Sequence, residues 1–375
     1  MRMKKLLFAT CCIVFLSGSL GVAAQKKSAA KNVLTQTLKG KSWSADNGNG
    51  TFTNPLFYDE FSDPDIIRVG EDYYLAGTTM HSVPGLVVLH SKDLVNWEFS
   101  SYCFDRFDDS DDFNLRNGKE AYGQGIWAPA IRYHNGKFYI FSNINGHGLQ
   151  VYISDSAKGP WTHHKVNGDI YDLSVLFDED GKIYAVHKYG NVTVTELKPD
   201  LSGPVEGSSK VVIPEGNAMG EGHHVYKING MYYILSADYS PMGRMQCARS
   251  KSIWGPYETC VISERESYGY AAGWSVGNMG IGRPLPEDGF NFQNNKPDGL
   301  NLGCATIHQG GIVQAPDGKW WGVSMQDFNA VGRTVCLSPI TWVDGWPYFG
   351  LEKNLGRSPR TWFKPNDMVK TPQAP

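Results

Sequence analysis

Three carboxylic acids stand at the heads of short apolar runs that lie far apart in the chain: Asp63 in FSDPDIIRV, Asp172 in YDLSVLFDED and Glu221 in GEGHHVYKING. His308 in HQGGIVQ and Ala128 in WAPAIRYH occupy the matching place in two further runs. Packing alone fills the head of such a run with a small or apolar group. Carboxylates crowded together raise one another's pKa at a cost in stability, so their presence at three such places points to chemistry. Singly, each has a plain structural reading: an Asp before Pro64 forms turns, Asp172 can cap a strand end, and Glu221 between glycines can sit in a solvated loop. Equivalent placement in three runs reverses that balance. Three acids with no serine or cysteine nucleophile beside a base suit glycoside cleavage. One protonates the leaving oxygen and a second activates water on the opposite face of the sugar, about 6.5–9.5 Å away in an inverting enzyme. A third carboxylate nearby holds the acid protonated and in position. The neighbouring His223 and His224 raise a metal site as the rival reading. Successive strand residues face opposite sides of a sheet, however, so the two imidazoles are poorly placed to grip one ion.

The elements that must bring these residues together form a repeat. VGEDYYLAGT from 69, HNGKFYIFSN from 134, EDGKIYAVHK from 179, INGMYYILSA from 228 and PDGKWWGVSM from 316 align as a turn followed by a strand. Asn-Gly or Asp-Gly opens four of the five, the strongest short hairpin signal, and an aromatic then alternates with apolar residues. Each turn is preceded by one of the runs that begin with the polar residues above. Several hairpins are followed by a further strand closed by Trp or Tyr, as in HSKDLVNW, SDSAKGPW and SKSIWGPY. Units of three or four strands, repeated five times, predict an all-β, five-bladed β-propeller, in which the heads of the innermost strands converge around the axis. An open β-sandwich with coincidental hairpins is the alternative, and five aligned units argue against it.

Taken as a set, FSDPDIIRVGEDYYLAGTTMH, GIWAPAIRYHNGKFYI, DLSVLFDEDGKIYAVH, EGHHVYKINGMYYIL and HQGGIVQAPDGKWW resemble the blade-start motifs of glycoside hydrolase family 43, over about residues 48 to 350. The resemblance implies an inverting, exo-acting β-xylosidase or α-L-arabinofuranosidase. By motif, Asp63 is similar to the general base, Asp172 to the residue that orients the acid and tunes its pKa, and Glu221 to the general acid. Arg333 in VGRTVCLSP matches an arginine that reaches the innermost sugar. Trp127 in GIWAP, and Met80 with His81 in TTMHSVPG, match pocket lining. His308 matches a channel histidine that in many members faces a calcium ion or a water at the axis. A structural calcium there, directly or through water, is therefore implied, with no cofactor required for the reaction. Two departures stand out. Many members read Glu-Gly-Pro-His where this chain has Glu221-Gly222-His223-His224. Many also continue into a C-terminal β-sandwich, and RSPRTWFKPNDMVKTPQAP reads like a linker to one. An endo-arabinanase on the same scaffold and a carbohydrate-binding propeller without chemistry are the competing functions; a retaining fructosidase is disfavoured because the chain has no Arg-Asp-Pro motif.

Bulk properties agree with a β-rich chain. Of 375 residues, 13% are aromatic and only 19% charged, with 42 Gly and 20 Pro, which suits many short strands and turns better than long charged helices. Residues 1–24 have a basic start, an apolar run and a small-residue end at Val22, Ala23 and Ala24, the pattern of a secretory signal cleaved after Ala24. The sequence thus divides into a signal (1–24), an N-terminal arm (25–47), the propeller (48–350) and a C-terminal tail or linker (351–375). Loss of Arg2, Lys4 and Lys5 with the signal takes the net charge from −3 to −6, which argues against nucleic acid or an anionic membrane as partner; an oligosaccharide or polysaccharide partner is what the three acids and the family resemblance imply. The expected location is secreted or periplasmic. Five cysteines (103, 247, 260, 304, 336) remain without CxxC spacing, so a zinc site is disfavoured. The acidic run DRFDDSDDFN from 105 reads as a solvated loop. The Gly- and Asn-rich insertion at 263 to 307 reads as a pocket-shaping loop.

Overall fold

A computed structural model describes residues 44–80, 85–107, 110–121, 123–217, 219–238, 244–263, 309–327, 333–355 and 361–365. The compact unit is Ala45–Pro375. Its described residues form five four-stranded antiparallel sheets, each contiguous in sequence. Blade 1 is β2 (Ser62–Val69), β3 (Asp72–Thr78), β4 (Gly85–Ser91) and β5 (Glu98–Phe104). Blade 2 is β6 (Ile126–His134), β7 (Lys137–Ile144), β8 (Gly148–Ser154) and β9 (Thr162–Lys165). Blade 3 is β10 (Ser174–Phe177), β11 (Ile183–His187), β12 (Val192–Leu197) and β13 (Lys210–Ile213). Blade 4 is β14 (Glu221–Ile228), β15 (Met231–Asp238), β16 (Arg244–Ser250) and β17 (Glu258–Val261). Blade 5 is β18 (Ile312–Gln314), β19 (Trp320–Asp327), β20 (Arg333–Val343) and β21 (Trp346–Phe349). This is the five-bladed propeller expected from the repeat.

The hairpins form where Asn-Gly predicts them. Asn135 and Gly136 have φ of 48° and 80°, and Asn229 and Gly230 have 51° and 78°. Two successive left-handed residues are what a two-residue type I′ turn requires, and the flanking pairs His134 with Lys137 and Ile228 with Met231 close each hairpin. The second strand of each blade then contributes an aromatic or aliphatic face to the seam with its neighbour. Five hydrophobic clusters result, one for each seam. The seam of blades 5 and 1 joins Trp321, Val323 and Leu337 to Ile66, Tyr73 and Leu75, so the ring closes through side-chain burial.

Backbone bonds reinforce that closure. The segment between Asn54 and Phe61 runs along the first half of β20: Leu56 N donates to Val335 O (2.8 Å) and Phe61 N to Arg333 O (2.8 Å). Buried Asn54 bonds Leu337 twice, donating from Nδ2 to its carbonyl and accepting its N–H at Oδ1, each at 2.9 Å. Beyond residue 350, in the part of the sequence read as a tail or linker, Thr361–Phe363 forms β22 and pairs with β1 (Thr51–Thr53). Trp362 is buried there while Thr361 and Phe363 face outward, the period-two pattern of a strand on a core. The propeller's contacts therefore extend past 350. Cys103, Cys247, Cys260 and Cys336 are free thiols, and Cys304 lies outside the described residues.

A belt of polar bonds links the inner strands at the axis. Asp65, 1% exposed, accepts the N–H groups of Ile66 and Ile131 (both 2.9 Å) and pairs with the Arg132 guanidinium at 2.5 Å. Arg132 continues to Ser174 Oγ (2.5 Å), which accepts Val225 N–H (3.0 Å), and the Tyr226 hydroxyl accepts Ile312 N–H (2.9 Å). Asp65→Asn would strand the Arg132 charge inside the belt, and breaking one partner of a buried pair costs about 3–5 kcal/mol. Urea unfolding should show that loss for the single variant and a smaller one for Asp65→Asn combined with Arg132→Met. A double variant no more stable than the single would show that the stranded charge is not the source.

Candidate active site

Three of the five inner strands, β2, β6 and β14, begin with a bulge at the same end of the molecule. Pairing shifts register between Ser62 and Asp65, between Ile126 and Pro129, and between Glu221 and His224. A left-handed residue stands at the strand head in three blades: Asp63 (φ 53°) and Gly222 (67°) inside their bulges, and Asp172 (51°) two residues before β10. Short polar side chains and glycine tolerate that conformation best, which is one local reason for Asp at 63 and 172. Glu221 departs from the alignment read in the sequence. It stands one residue earlier than Asp63, in register with Ser62 and Ile126, and the long Glu side chain spans the difference.

The strand heads surround a pocket of about 190 Å3, lined among the described residues by Asp63, Met80, Trp127, Tyr171, Asp172, Glu221 and Arg333, with Gly123, Ala128, Asn143 and Gln309 completing the wall. Six of the residues picked from sequence therefore meet in one hollow: the three acids, Arg333, Trp127 and Met80. His81 and His308 lie outside the described residues, as does nearly all of the insertion at 263 to 307. Sequence reading overlooked Tyr171, Asn143 and Ser62. Tyr171 was detectable, since it directly precedes Asp172 and so takes the place that Glu221 takes in the next blade.

The acids divide two and one. Asp172 Oδ2 accepts the N–H of Gly222 (2.7 Å), and the Tyr171 hydroxyl donates to Glu221 Oε2 (2.9 Å), so Asp172 and Glu221 are fastened to each other's strands. Asn143 holds the Asp172 backbone, accepting its N–H at 3.0 Å. Across the pocket, Asp63 Oδ2 accepts from Ser62 Oγ (3.0 Å), and Oδ1 lies 3.3 Å from Arg333 Nη1. Arg333 also donates to Ser62 Oγ at 3.1 Å, and the bond from Phe61 N to its carbonyl brings it beside Asp63.

Burial, then the charges of Glu221 and Asp63, push the Asp172 carboxyl up to about 8, against the opposing pull of the Gly222 N–H and Arg333. Burial also raises Glu221 above the ordinary carboxylate range, with Asp63 adding to the rise and the Tyr171 hydroxyl opposing it. The Asp172–Glu221 side of the pocket thus retains a proton to higher pH than free carboxylates do, as a general acid needs.

No group of three or more His, Cys, Asp or Glu among the described residues is arranged to hold a metal. At the axis Asp65 is already neutralised by Arg132, and His224 Nε2 faces Asp65 Oδ1 at 3.5 Å. The described axial residues do not form a cation cage. His223 and His224 do not share a ligand position: His223 bonds Ser236 and the Lys188 carbonyl, His224 the Gly222 carbonyl.

Residues 52–269 match the pattern of glycosyl hydrolases family 43. The chain belongs to this family. Among curated relatives, a putative beta-xylosidase of Xylanibacter ruminicola is 32% identical over 347 residues, covering 88% of this chain and 57% of that protein. A non-reducing end alpha-L-arabinofuranosidase of Bacteroides ovatus is 34% identical over 332 residues, covering 84% and 56%. The solved structure of a bifunctional GH43-CE protein of Bacteroides eggerthii superposes with a TM-score of 0.68 at 33% identity, covering 84% of this chain and 37% of that one. The chain spans little more than half the length of these curated relatives.

The raised Asp172 carries a stability cost. An unfolded Asp titrates near 3.9, the folded one at about 8, so between these values the folded state binds more protons and stability falls as pH rises. The cost is complete above pH about 8. Asp172→Asn removes the charge and tolerates the left-handed backbone; it should melt higher than the parent at pH about 9, with the gap closing toward pH about 4. A pH-independent difference in melting temperature would contradict the assignment.

Proposed function

We propose that this chain is an exported, inverting, exo-acting glycosidase that releases terminal β-D-xylose or α-L-arabinofuranose from plant cell-wall polysaccharide. The observation that carries the reading is the two-and-one division of the acids around a pocket of about 190 Å3. Pockets for drug-sized ligands run to about 300–1,000 Å3, so this hollow suits a single sugar ring. The names of the relatives, beta-xylosidase and alpha-L-arabinofuranosidase, support the choice of pentoses. The export step rests on the first 24 residues of the sequence.

In this reading Glu221 gives its proton to the glycosidic oxygen as the bond from the anomeric carbon breaks. A water on the opposite face loses a proton to Asp63 as its oxygen bonds that carbon, which inverts the configuration. Asp172 holds Gly222, and with it the strand that carries Glu221, while its own raised pKa keeps a proton on that side. Arg333 and Trp127 orient the ring in the hollow. Exchange of protons with solvent then restores both acids.

Purified protein should hydrolyse 4-nitrophenyl β-D-xyloside, α-L-arabinofuranoside or both, and proton NMR should show a first-formed sugar of inverted anomeric configuration. Sugar binding without hydrolysis would favour a binding propeller, and a ladder of oligomers from arabinan would favour an endo enzyme. Glu221→Gln should lower kcat/KM on an unactivated oligosaccharide by about 10²–10⁴, and by less on substrates whose leaving group needs no protonation.

Tyr171→Phe deletes the bond that stabilises the Glu221 carboxylate, so the acid should hold its proton longer. The alkaline limb of kcat/KM should shift to higher pH. A limb left in place, or shifted to lower pH, would detach Glu221 from that limb.

A further inference from the structure

The segment Lys188–Asn191 connects β11 to β12 and lies at the same end of blade 3 as Asp172. Lys188 N donates to Tyr171 O and Gly190 N to Gly220 O, each at 2.9 Å. The segment is therefore pinned between the residue that precedes Asp172 and the residue that precedes Glu221. Tyr189 stands between the two pins with 57% of its surface exposed. Its hydroxyl and ring have no partner among the described residues.

The backbone beneath that ring is held at every residue. Lys188 has a left-handed φ of 79°, a conformation that costs a non-glycine residue energy and persists where its surroundings enforce it. His223 supplies part of that enforcement. Its Nε2 lies 2.6 Å from the Lys188 carbonyl, which can only accept, so Nε2 carries the proton, and Nδ1 accepts from the Ser236 hydroxyl at 2.6 Å. Burial pushes this imidazole down to about 4, which keeps it neutral in that role. Asn191 N donates to Tyr189 O (2.7 Å), and Asn191 Oδ1 accepts Glu215 N–H (3.0 Å). An exposed aromatic on a fixed backbone is a prepared surface, since little conformational freedom is lost when something binds it.

We propose that Tyr189 is the platform for the leaving-group sugar. The inference rests on the glycosidase reading. A general acid sits on the leaving-group side of the bond it protonates, and Tyr189 is the exposed aromatic beside the strand head that carries Glu221. The ligand class is a furanose or pyranose unit of an oligosaccharide, whose C–H face packs on the phenol ring. His223 is a positioning residue, acting through the Lys188 carbonyl.

The test compares a disaccharide with the glycosyl fluoride of the same glycone, because fluoride leaves without occupying the leaving-group subsite. For Tyr189→Ala the ratio of kcat/KM on the disaccharide to that on the fluoride should fall about tenfold, the size of one partly buried apolar contact. Tyr189→Phe should keep the parental ratio. His223→Ala should lower the ratio in the same direction, and His223→Gln, which can still donate to the carbonyl, should recover part of it. A parental ratio in Tyr189→Ala overturns the proposal, as does a fall in Tyr189→Phe equal to that in Tyr189→Ala. A parent inactive on both substrates overturns the glycosidase reading, and this subsite with it.

Discussion

Five inner strands reach the axis of this propeller, and among the described residues one carboxylate, Asp65, gathers the polar bonds there. Asp65 takes two backbone N–H bonds and the Arg132 guanidinium, and Arg132 passes the connection to blade 3. Blade 5 closes on the same spot through Gly311. A Cβ at that position would come within 2.5 Å of the Tyr226 hydroxyl and 3.2 Å of Asp65 Oδ1, so the approach of blade 5 to the axis requires glycine. Apart from the Ile66 N–H, each bond in this belt joins the inner strands of neighbouring blades. The belt therefore sets the height at which every strand head ends, and the acids stand on those heads.

That arrangement explains why a costly electrostatic state survives. Asp63, Asp172 and Glu221 repel one another, two of them on left-handed backbone, and burial raises the carboxyls of Asp172 and Glu221. A protein free to relax would turn these groups to water. Here their backbones are fixed from below by the belt and from the side by Asn143, Gly222 and the segment between Asn54 and Phe61, so repulsion is expressed as a retained proton instead of movement. The same segment places Arg333 against Asp63, across the pocket from the Asp172–Glu221 pair.

Much of this was legible in the sequence because its causes are local. Asn135-Gly136 and Asn229-Gly230 announce their hairpins through the backbone that those residues prefer, and the aromatic that follows each turn announces the seam. Asp63, Asp172 and Glu221 stood out because carboxylates break the apolar pattern of the runs they head. The one-residue offset of Glu221 did not, since a bulge is a property of pairing between strands. Closure by Asn54 on Leu337 and by Thr361–Phe363 on Thr51–Thr53 was invisible for a related reason: the partners are about 300 residues apart and neither has a turn signal. Tyr171 and Asn143 were passed over because an aromatic and an amide at strand ends look like packing until their partners are known.

The two kinds of segment at the pocket end of each blade have different physical duties. Strand heads are tied to the axis, and groups placed on them can be held to the tolerance that proton transfer demands. Connections between second and third strands, such as Lys188–Asn191, are tied to the neighbouring strand heads and not to the belt at the axis. Substitution at Tyr189 changes what a connection offers to a ligand without disturbing Asp65, whereas substitution at Gly222 would drive a side chain into Gln309, whose Cγ lies 2.4 Å from the Cβ position. A scaffold divided in this way can alter the sugar it accepts beyond the scissile bond while its acids stay in place. His223 sits on the boundary: it belongs to a strand head, yet its imidazole reaches the connection of the neighbouring blade. Through that bond the connection that carries Tyr189 is tied to the strand that carries Glu221.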